Sequence, residues 1–573
     1  MVKILSGTGV GAAAFSRALF ALSEGKGGIV TPEMIKQAEW ISGLMFTDED
    51  RALMLEGMNE AQADFARLRA VPLDNAVAPA LWFDAAPQTG SVSPGGGGWD
   101  HERQAPAAGE RPSSDADLAF ASVATLHSLL LARKISSVEL TRLYLERLKR
   151  YDPALHCVVT LTEDLALRQA EQADREIAAG KERRMGRLHG IPWGAKDLLA
   201  VPGYPTTWGA TPYREQVRPE KATVVARLEE AGAVLAAKLS VGALAWGDVW
   251  FGGTTKSPWK PAEGSSGSSA GSAAATAAGL VGFAIGTETW GSIVSPCTRC
   301  GATGLRPTFG RVSRYGAMAL SWSMDKIGPI SRTVEDCVHV FMAIRGPDPL
   351  DPPTLHERWF DWPLQKELRK LRVGYVRTLF EEDRAAKADK DEEKDGLREW
   401  REFDLKTLSV LRDLGIELIP ISLPDGLPVR ALSLILTAEA ATAFDELTRT
   451  GRDDLLERQV ADAWPNVFRQ GQLIPAVEYL RANRIRTLVM AEMEKLMSGL
   501  DAYVVPSFGG DNLLLTNLTG HPCVVLPNGF RSKDQTPTSI TFVGKLYGEA
   551  ELCALAHAYQ QATDFHRRRP VLA

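Results

Sequence analysis

The chain has 573 residues, 45% of them hydrophobic, enough to bury one large core with smaller additions. Its 65 Lys and Arg against 71 Asp and Glu leave a net charge of -6, which excludes the basic footprint of a nucleic-acid-binding surface. No stretch reaches about 18 uninterrupted apolar residues, so stable membrane insertion is not expected.

Lys3 precedes a small apolar run, Ile4 to Phe15, followed by Arg17 and a second apolar patch to Leu22. A charged start before a short apolar stretch has the pattern of a weak or truncated export signal, so residues 1–30 are read as such a remnant or as disordered. The protein is expected in the cytoplasm, or in the periplasm or outside the cell if that signal operates. Thr31-Pro32-Glu33 then offers an N-cap with proline at the first helical position, and Thr47-Asp48-Glu49-Asp50 offers a second start with acidic residues in its first turn. These predict helices over about 32–43 and 48–69, within a helical extension spanning 31–85 that covers the core or forms a homodimer contact. Residues 86–117, with Ser91-Val92-Ser93-Pro94 and four following glycines, lack periodicity and are expected to be a linker.

Beyond the linker, Thr125 to Arg150 reads as one amphipathic helix, Cys157 to Leu161 as a strand, and the stretch to Ala179 as another helix. Further strands are expected at Ile191–Ala195, Ala233–Lys238, Phe283–Gly286, Leu371–Val376, Ile416–Ile421 and Ala502–Pro506. Strands alternating with helices predict an α/β sheet covered by helices on both faces, with 118–573 as one catalytic domain. The mixed charges from Glu381 to Asp395 suit a solvated surface loop or helix. The six cysteines are scattered and form no disulfide framework. Cys297-Thr298-Arg299-Cys300 has the spacing of a metal or redox pair but lacks a second pair or a histidine. It is read as two packed small residues, and neither metal nor other cofactor is expected.

Chemistry concentrates in Gly267-Ser268-Ser269-Ala270-Gly271-Ser272 and in Gly286-Thr287-Glu288-Thr289-Trp290-Gly291-Ser292-Ile293. The first run passes into an alanine-rich stretch that belongs in a core, so its serines sit against a packed helix rather than in a tether. A serine nucleophile needs a base within reach, usually histidine, yet no Gly-x-Ser-x-Gly elbow occurs near His189 or His339. Lys196, in the short apolar stretch Leu188 to Leu199, is the other option. It is either a snorkelling surface residue or a desolvated base whose pKa burial lowers.

Lys196, the Gly-Ser-Ser-Ala-Gly-Ser run and the Gly-Thr-Glu-Thr-Trp-Gly-Ser-Ile run together resemble the amidase signature family of Ser-Ser-Lys hydrolases. Cys300 to Ser313, Asp325 to Asp336 and Asn517-Leu518-Thr519-Gly520-His521-Pro522 resemble further blocks of that family, so the likeness spans roughly residues 118 to 570. It implies the amidase signature fold, a mixed central sheet with the active site at one edge of the signature segment. It also implies Ser292 as nucleophile, Ser268 after a cis peptide as proton relay, Lys196 as base, and Ser269 as support for the lysine. Ser269 as a helix N-cap is an equal and compatible alternative. Gly264-Ser265-Ser266 falls out of register with the family's serines and is set aside. Backbone amides of Thr289, Trp290, Gly291 and Ser292 are expected to meet the oxyanion.

Two positions depart from the family pattern. Trp290 stands where glycine is common and would be strained if the turn required positive φ there, and Val294 stands where arginine is usual. Seven of the fourteen tryptophans fall in the site-building segment. Trp246, Trp250, Phe251 and Trp290 are the candidate pocket residues, which favours an apolar or aromatic amide. The implied activity is hydrolysis of a small-molecule carboxylic amide to acid and amine or ammonia, with ester or carbamate cleavage as a side reaction. Two alternatives remain: the glutaminase subunit of a tRNA-dependent amidotransferase, and a catalytically inactive relative. Gly242-Ala243-Leu244-Ala245, where that subunit usually carries acidic residues, counts against the first.

Overall fold

Thr31 caps the first helix, Pro32–Ser42, by accepting the Met34 N–H, and Gly43 ends it in the left-handed conformation. Thr47 and Asp50 close a reciprocal capping box at the head of Asp48–Ala70. Both helices thus begin at the predicted residues. A computed structural model describes residues 30–73, 77, 79–81, 109–180, 186–355, 360–387 and 391–572. The export-type start and most of the predicted linker lie outside the described residues. The end of that linker is already helical, since Ser114 caps Asp115–Ala119.

The chain divides into two compact units. In the first, the N-terminal helices join Pro424–Glu492, so 118–573 is not one domain as expected. The physical reason lies in a few buried groups that tie the two segments. Arg469 gathers Asp50, Asp453 and Asp454 at 2.7, 2.9 and 2.8 Å. Asn466 donates to the Leu53 carbonyl, and within the N-terminal segment Arg51 pairs with buried Glu39 at 2.7 Å and joins its two helices. Phe468 stacks between Trp464 and Phe444, supplying apolar contact area beside these polar ties.

The second unit is built on an eleven-stranded mixed sheet. Its strands are β1 (Val158–Leu161), β2 (Pro192–Lys196), β3 (Val234–Leu239), β4 (Phe283–Glu288), β5 (Thr303–Arg306), β6 (Lys326–Ser331), β7 (Val373–Val376), β8 (Leu418–Ile421), β9 (Ala502–Pro506), β10 (Cys523–Phe530) and β11 (Pro537–Gly544). They run in the order β1-β3-β2-β4-β6-β5-β10-β11-β9-β7-β8. In β2, β3, β4, β6, β9, β10 and β11 every residue is buried, and because successive side chains alternate faces, both faces are covered. The six strands expected after Ala179 are present, whereas β5, β6, β10 and β11 were not foreseen as strands. The helix expected over Thr125–Arg150 is two, Val123–Leu131 and Ser137–Leu155, each capped by its own serine and separated by Arg133 in the left-handed region.

This topology brings three segments to one edge. β2 and β4 are parallel neighbours, with Ala195 opposite Ile285, so Lys196 ends β2 level with Gly286, two residues before β4 ends at Glu288. The short helix Ala270–Ala277 feeds back into β4, which places its N-terminus, and hence Ser268 and Ser269, at the same end. Its small side chains allow that close approach.

Candidate active site

Lys196 is the last residue of β2 and is fully buried. Its Nζ lies 2.9 Å from Ser268 Oγ, 3.0 Å from Ser269 Oγ and 2.7 Å from Thr287 Oγ1, with the Thr287 carbonyl at 3.4 Å. Burial pushes the lysine well below its ordinary range, against the weaker attraction of Asp325 and Glu288. On the following residue, Asp197 pairs with buried Lys238 at 2.7 Å and accepts the Thr207 N–H at 2.9 Å, which anchors the end of the strand.

The Gly267–Ser268 peptide bond is cis. Gly267 is required there because a Cβ would collide with the Gly247 carbonyl. Ser269 occupies the N-cap position of Ala270–Ala277 but makes no capping bond with its side chain. Its hydroxyl instead donates to the Thr287 carbonyl and accepts the Thr287 N–H, both at 3.1 Å, while facing Lys196. Of the serines set aside, Ser266 pairs with Ser295 at 2.7 Å and its N–H donates to Asp248, away from the lysine.

Ser292 lies in the turn between β4 and the helix Val294–Cys300, and its carbonyl accepts the Ser269 N–H at 3.1 Å. The turn is held from below by Glu288, fully buried, which accepts the N–H groups of Ile293 and Val294 at 2.8 and 2.9 Å. Its other oxygen faces Arg306 and takes a bond from Asn517 at 2.9 Å. Burial alone would raise this carboxyl, but Arg306, Asn517 and the two amides bring it down to about 2. The N–H groups of Thr289, Trp290, Gly291 and Ser292 meet no acceptor among the described residues, leaving four adjacent donors in the turn. The positive φ of this turn falls on Gly291, at 91°, so the strain anticipated for Trp290 does not arise. Val294 is buried at the helix start.

The model of the family described as Amidase matches residues 139–515. This chain belongs to the amidase family. The amidase is 33% identical to the A subunit of glutamyl-tRNA(Gln) amidotransferase from Marinomonas sp. (strain MWYL1) over 496 residues, 79% of this chain and 99% of that protein. It is 34% identical to the protein of the same description from Methylococcus capsulatus (strain ATCC 33009 / NCIMB 11132 / Bath) over 492 residues, 78% and 98% of the two chains. Among solved structures it resembles the peptide amidase of Stenotrophomonas maltophilia, at a TM-score of 0.66 and 28% identity over 79% of this chain and 98% of that one. Like its relatives, the amidase is a hydrolase acting on carbon–nitrogen amide bonds, built on the amidase signature fold.

A cavity of about 200 Å³ opens beside Thr287 and Thr289 in the amidase. Its walls come chiefly from Leu198, Met318, Leu320 and Ile327, with half-exposed Trp322 at its mouth. Trp246, Trp250, Phe251 and Trp290, expected to line the pocket, are not among its lining residues. Trp250 is buried, donates its indole N–H to the His156 carbonyl and meets Phe251 edge-on at 4.8 Å. Trp290 is 39% exposed.

Thr287, Glu288 and Asp325 were not singled out from the sequence. Asp325 accepts the Thr289 hydroxyl at 2.6 Å and the N–H groups of Leu320 and Ser321 at 2.8 and 3.0 Å, so it ties the cavity wall to the turn. Burial raises its carboxyl above the ordinary range. A carboxylate at the end of a strand, followed within six residues by a small turn and a helix start, is a signal that would have found Glu288. Cys297 and Cys300 are both buried, and among the described residues no cluster of His, Cys, Asp and Glu could hold a metal ion. Among the same residues no helix is long and apolar enough to cross a membrane.

Proposed function

We propose that this amidase hydrolyses a small-molecule carboxylic amide through an acyl-enzyme on Ser292, releasing the amine or ammonia first and the acid second. The observation that carries the reading is the buried Lys196, whose partners are three hydroxyls and a carbonyl rather than a carboxylate. Such surroundings favour the neutral amine, the form that can accept a proton.

Ser292 Oγ attacks the carbonyl carbon while its proton passes to Ser268 Oγ, and the proton of Ser268 passes to Lys196 Nζ. The electron pair of the carbonyl moves to oxygen, and the resulting oxyanion is met by the turn amides of Thr289, Trp290, Gly291 and Ser292. Collapse breaks the carbon–nitrogen bond as the proton returns through Ser268 to the leaving nitrogen. Water then repeats the sequence on the ester and frees the acid. Ser269, bonded on both sides to Thr287, keeps Lys196 aimed at Ser268.

The test is turnover of an amide panel by the full chain beside Ser292→Ala and Lys196→Ala. Both variants are expected to lose at least about 10²-fold, the low end for removing a positioned base. Full activity in either refutes the assigned role. The amidotransferase relatives, matched over nearly their whole length, support a second reading as a glutaminase subunit. Glutamine hydrolysis that needs added partner subunits would favour it. Absence of both turnover and reaction of Ser292 with a fluorophosphonate would point to an inactive relative.

A further inference from the structure

We infer that the cavity beside Thr289 receives the acyl arm of an uncharged aryl or alkyl amide and rejects the amino-acid head of glutamine. This rests on the reading above that Ser292 and Lys196 cleave the amide.

The leaving nitrogen must face Ser268, which returns its proton. Thr287, whose hydroxyl holds Lys196, and Thr289, on the turn, both line the cavity, which sets it beside the catalytic groups. A primary amide carries one arm, the acyl group, so with such a substrate the arm that enters the cavity is the one that stays on Ser292. The cavity walls are mainly aliphatic, from Leu198, Met318, Leu320, Ile327 and Leu350, with Trp322 at the mouth. Dry apolar cavities of about 150 Å³ hold benzene. At about 200 Å³ this one has room for a ring and a short linker, or for an alkyl chain of similar bulk.

Charged groups do line the space, yet each is turned to a protein partner. Arg314 is held in a fork by Asp351, with Nη2 at 2.7 Å from one oxygen and Nε at 3.0 Å from the other. Asp325 already accepts from the Thr289 hydroxyl and the N–H groups of Leu320 and Ser321. Lys326 directs its ammonium to the carbonyls of Met324 and Asn517. Glutamine would bring an ammonium and a carboxylate into this space and find its countercharges already engaged, so desolvating its head would go uncompensated.

The experiment uses primary amides, whose single arm is the acyl group, with ammonia release as the readout. Acetamide, hexanamide, phenylacetamide, L-glutamine and succinamate are compared on the full chain. The kcat/KM is expected to rise at least about tenfold from acetamide to phenylacetamide, the scale of a well-filled apolar pocket, with glutamine and succinamate below acetamide. Half-buried Ala319 also lines the cavity, and Ala319→Phe fills it from the rim. In that variant the ratio of phenylacetamide to acetamide kcat/KM falls at least about tenfold.

A second measurement needs no turnover: phenylacetate slows fluorophosphonate labelling of Ser292, and L-glutamate at the same concentration does not. Preference for glutamine, an unmoved ratio in folded Ala319→Phe, or protection by glutamate but not phenylacetate overturns the inference while the serine–lysine reading stands. Neither labelling nor turnover overturns both.

Discussion

Replacing Glu288 by glutamine tests whether the turn that carries Ser292 is held by charge. The carboxylate is fully buried, faces Arg306 and Asn517 with one oxygen and accepts the Ile293 and Val294 amides with the other. Burial would raise it, yet these partners lower it from 4.5 to about 2, a preference for the ionised form worth roughly 3 kcal/mol. Glu288→Gln leaves Arg306 buried without its countercharge, and breaking such a pair costs roughly 3–5 kcal/mol, which agrees with the first figure. Because the folded-state pKa is depressed, this stability is present above pH 4.5 and is lost as pH falls through about 2. The assay is urea unfolding of both proteins at pH 7 and pH 3, with hydrogen exchange read on peptides covering 286–306. The variant should unfold at lower urea and exchange faster at pH 7, and the gap should narrow at pH 3. Equal midpoints at pH 7, or a gap that widens in acid, would refute the role assigned to this carboxylate.

Ser269→Ala removes a hydroxyl 3.0 Å from Lys196 and both of its bonds to Thr287, so kcat should fall roughly tenfold to hundredfold with KM little changed. An equal fall in a Ser269→Thr variant, which restores the hydroxyl, would count against it. Since burial depresses the Lys196 pKa, the proposed role of the neutral amine as base predicts that kcat/KM climbs as pH rises through a midpoint well below 10.5 and then levels. A profile that is flat from acid to alkaline pH sinks that assignment. Arg469→Ala strands Asp50 and Asp453 beside each other, and hydrogen exchange should quicken together in Asp48–Ala70 and Trp464–Gly471. Change confined to one helix would show that the arginine does not join them.

Local chemistry was legible where it acts over a few residues. Thr31 and Thr47 announce their helices, and apolar runs such as Ala233–Lys238 announce buried strands. The strands that escaped notice carry Pro329 and Gly328 in β6 and Gly304 in β5, residues that strand propensity counts against, and tertiary pairing overrides it. At the site, the family resemblance names Lys196, Ser268, Ser269 and Ser292 from short contiguous motifs, and the structure brings the first three within hydrogen-bonding distance. What the sequence hides about Glu288 is its pairing, because its partners Arg306 and Asn517 lie 18 and 229 residues away. The cavity was missed for the same reason. Tryptophans close to the serines in sequence drew attention, whereas the walls come from the later segment around Met318 and Leu320, which Asp325 draws against the turn.

The two-segment make-up of the first unit also bears on how the chain is born. Asp48–Ala70 leaves the ribosome early, yet Asn466, which caps the Leu53 carbonyl, follows 413 residues later. At about 5–20 residues per second, the helix waits roughly 20–80 seconds for its partners. Throughout that interval the helix, whose Met54, Phe65 and Leu68 are buried in the finished protein, lacks the packing surface of Trp464–Gly471. The second unit has no such debt in its early half, because β2, β3 and β4 are neighbours in both sequence and space. Nascent-chain exposure is therefore longer for Asp48–Ala70 than for β2, β3 and β4, which find one another within about a hundred residues.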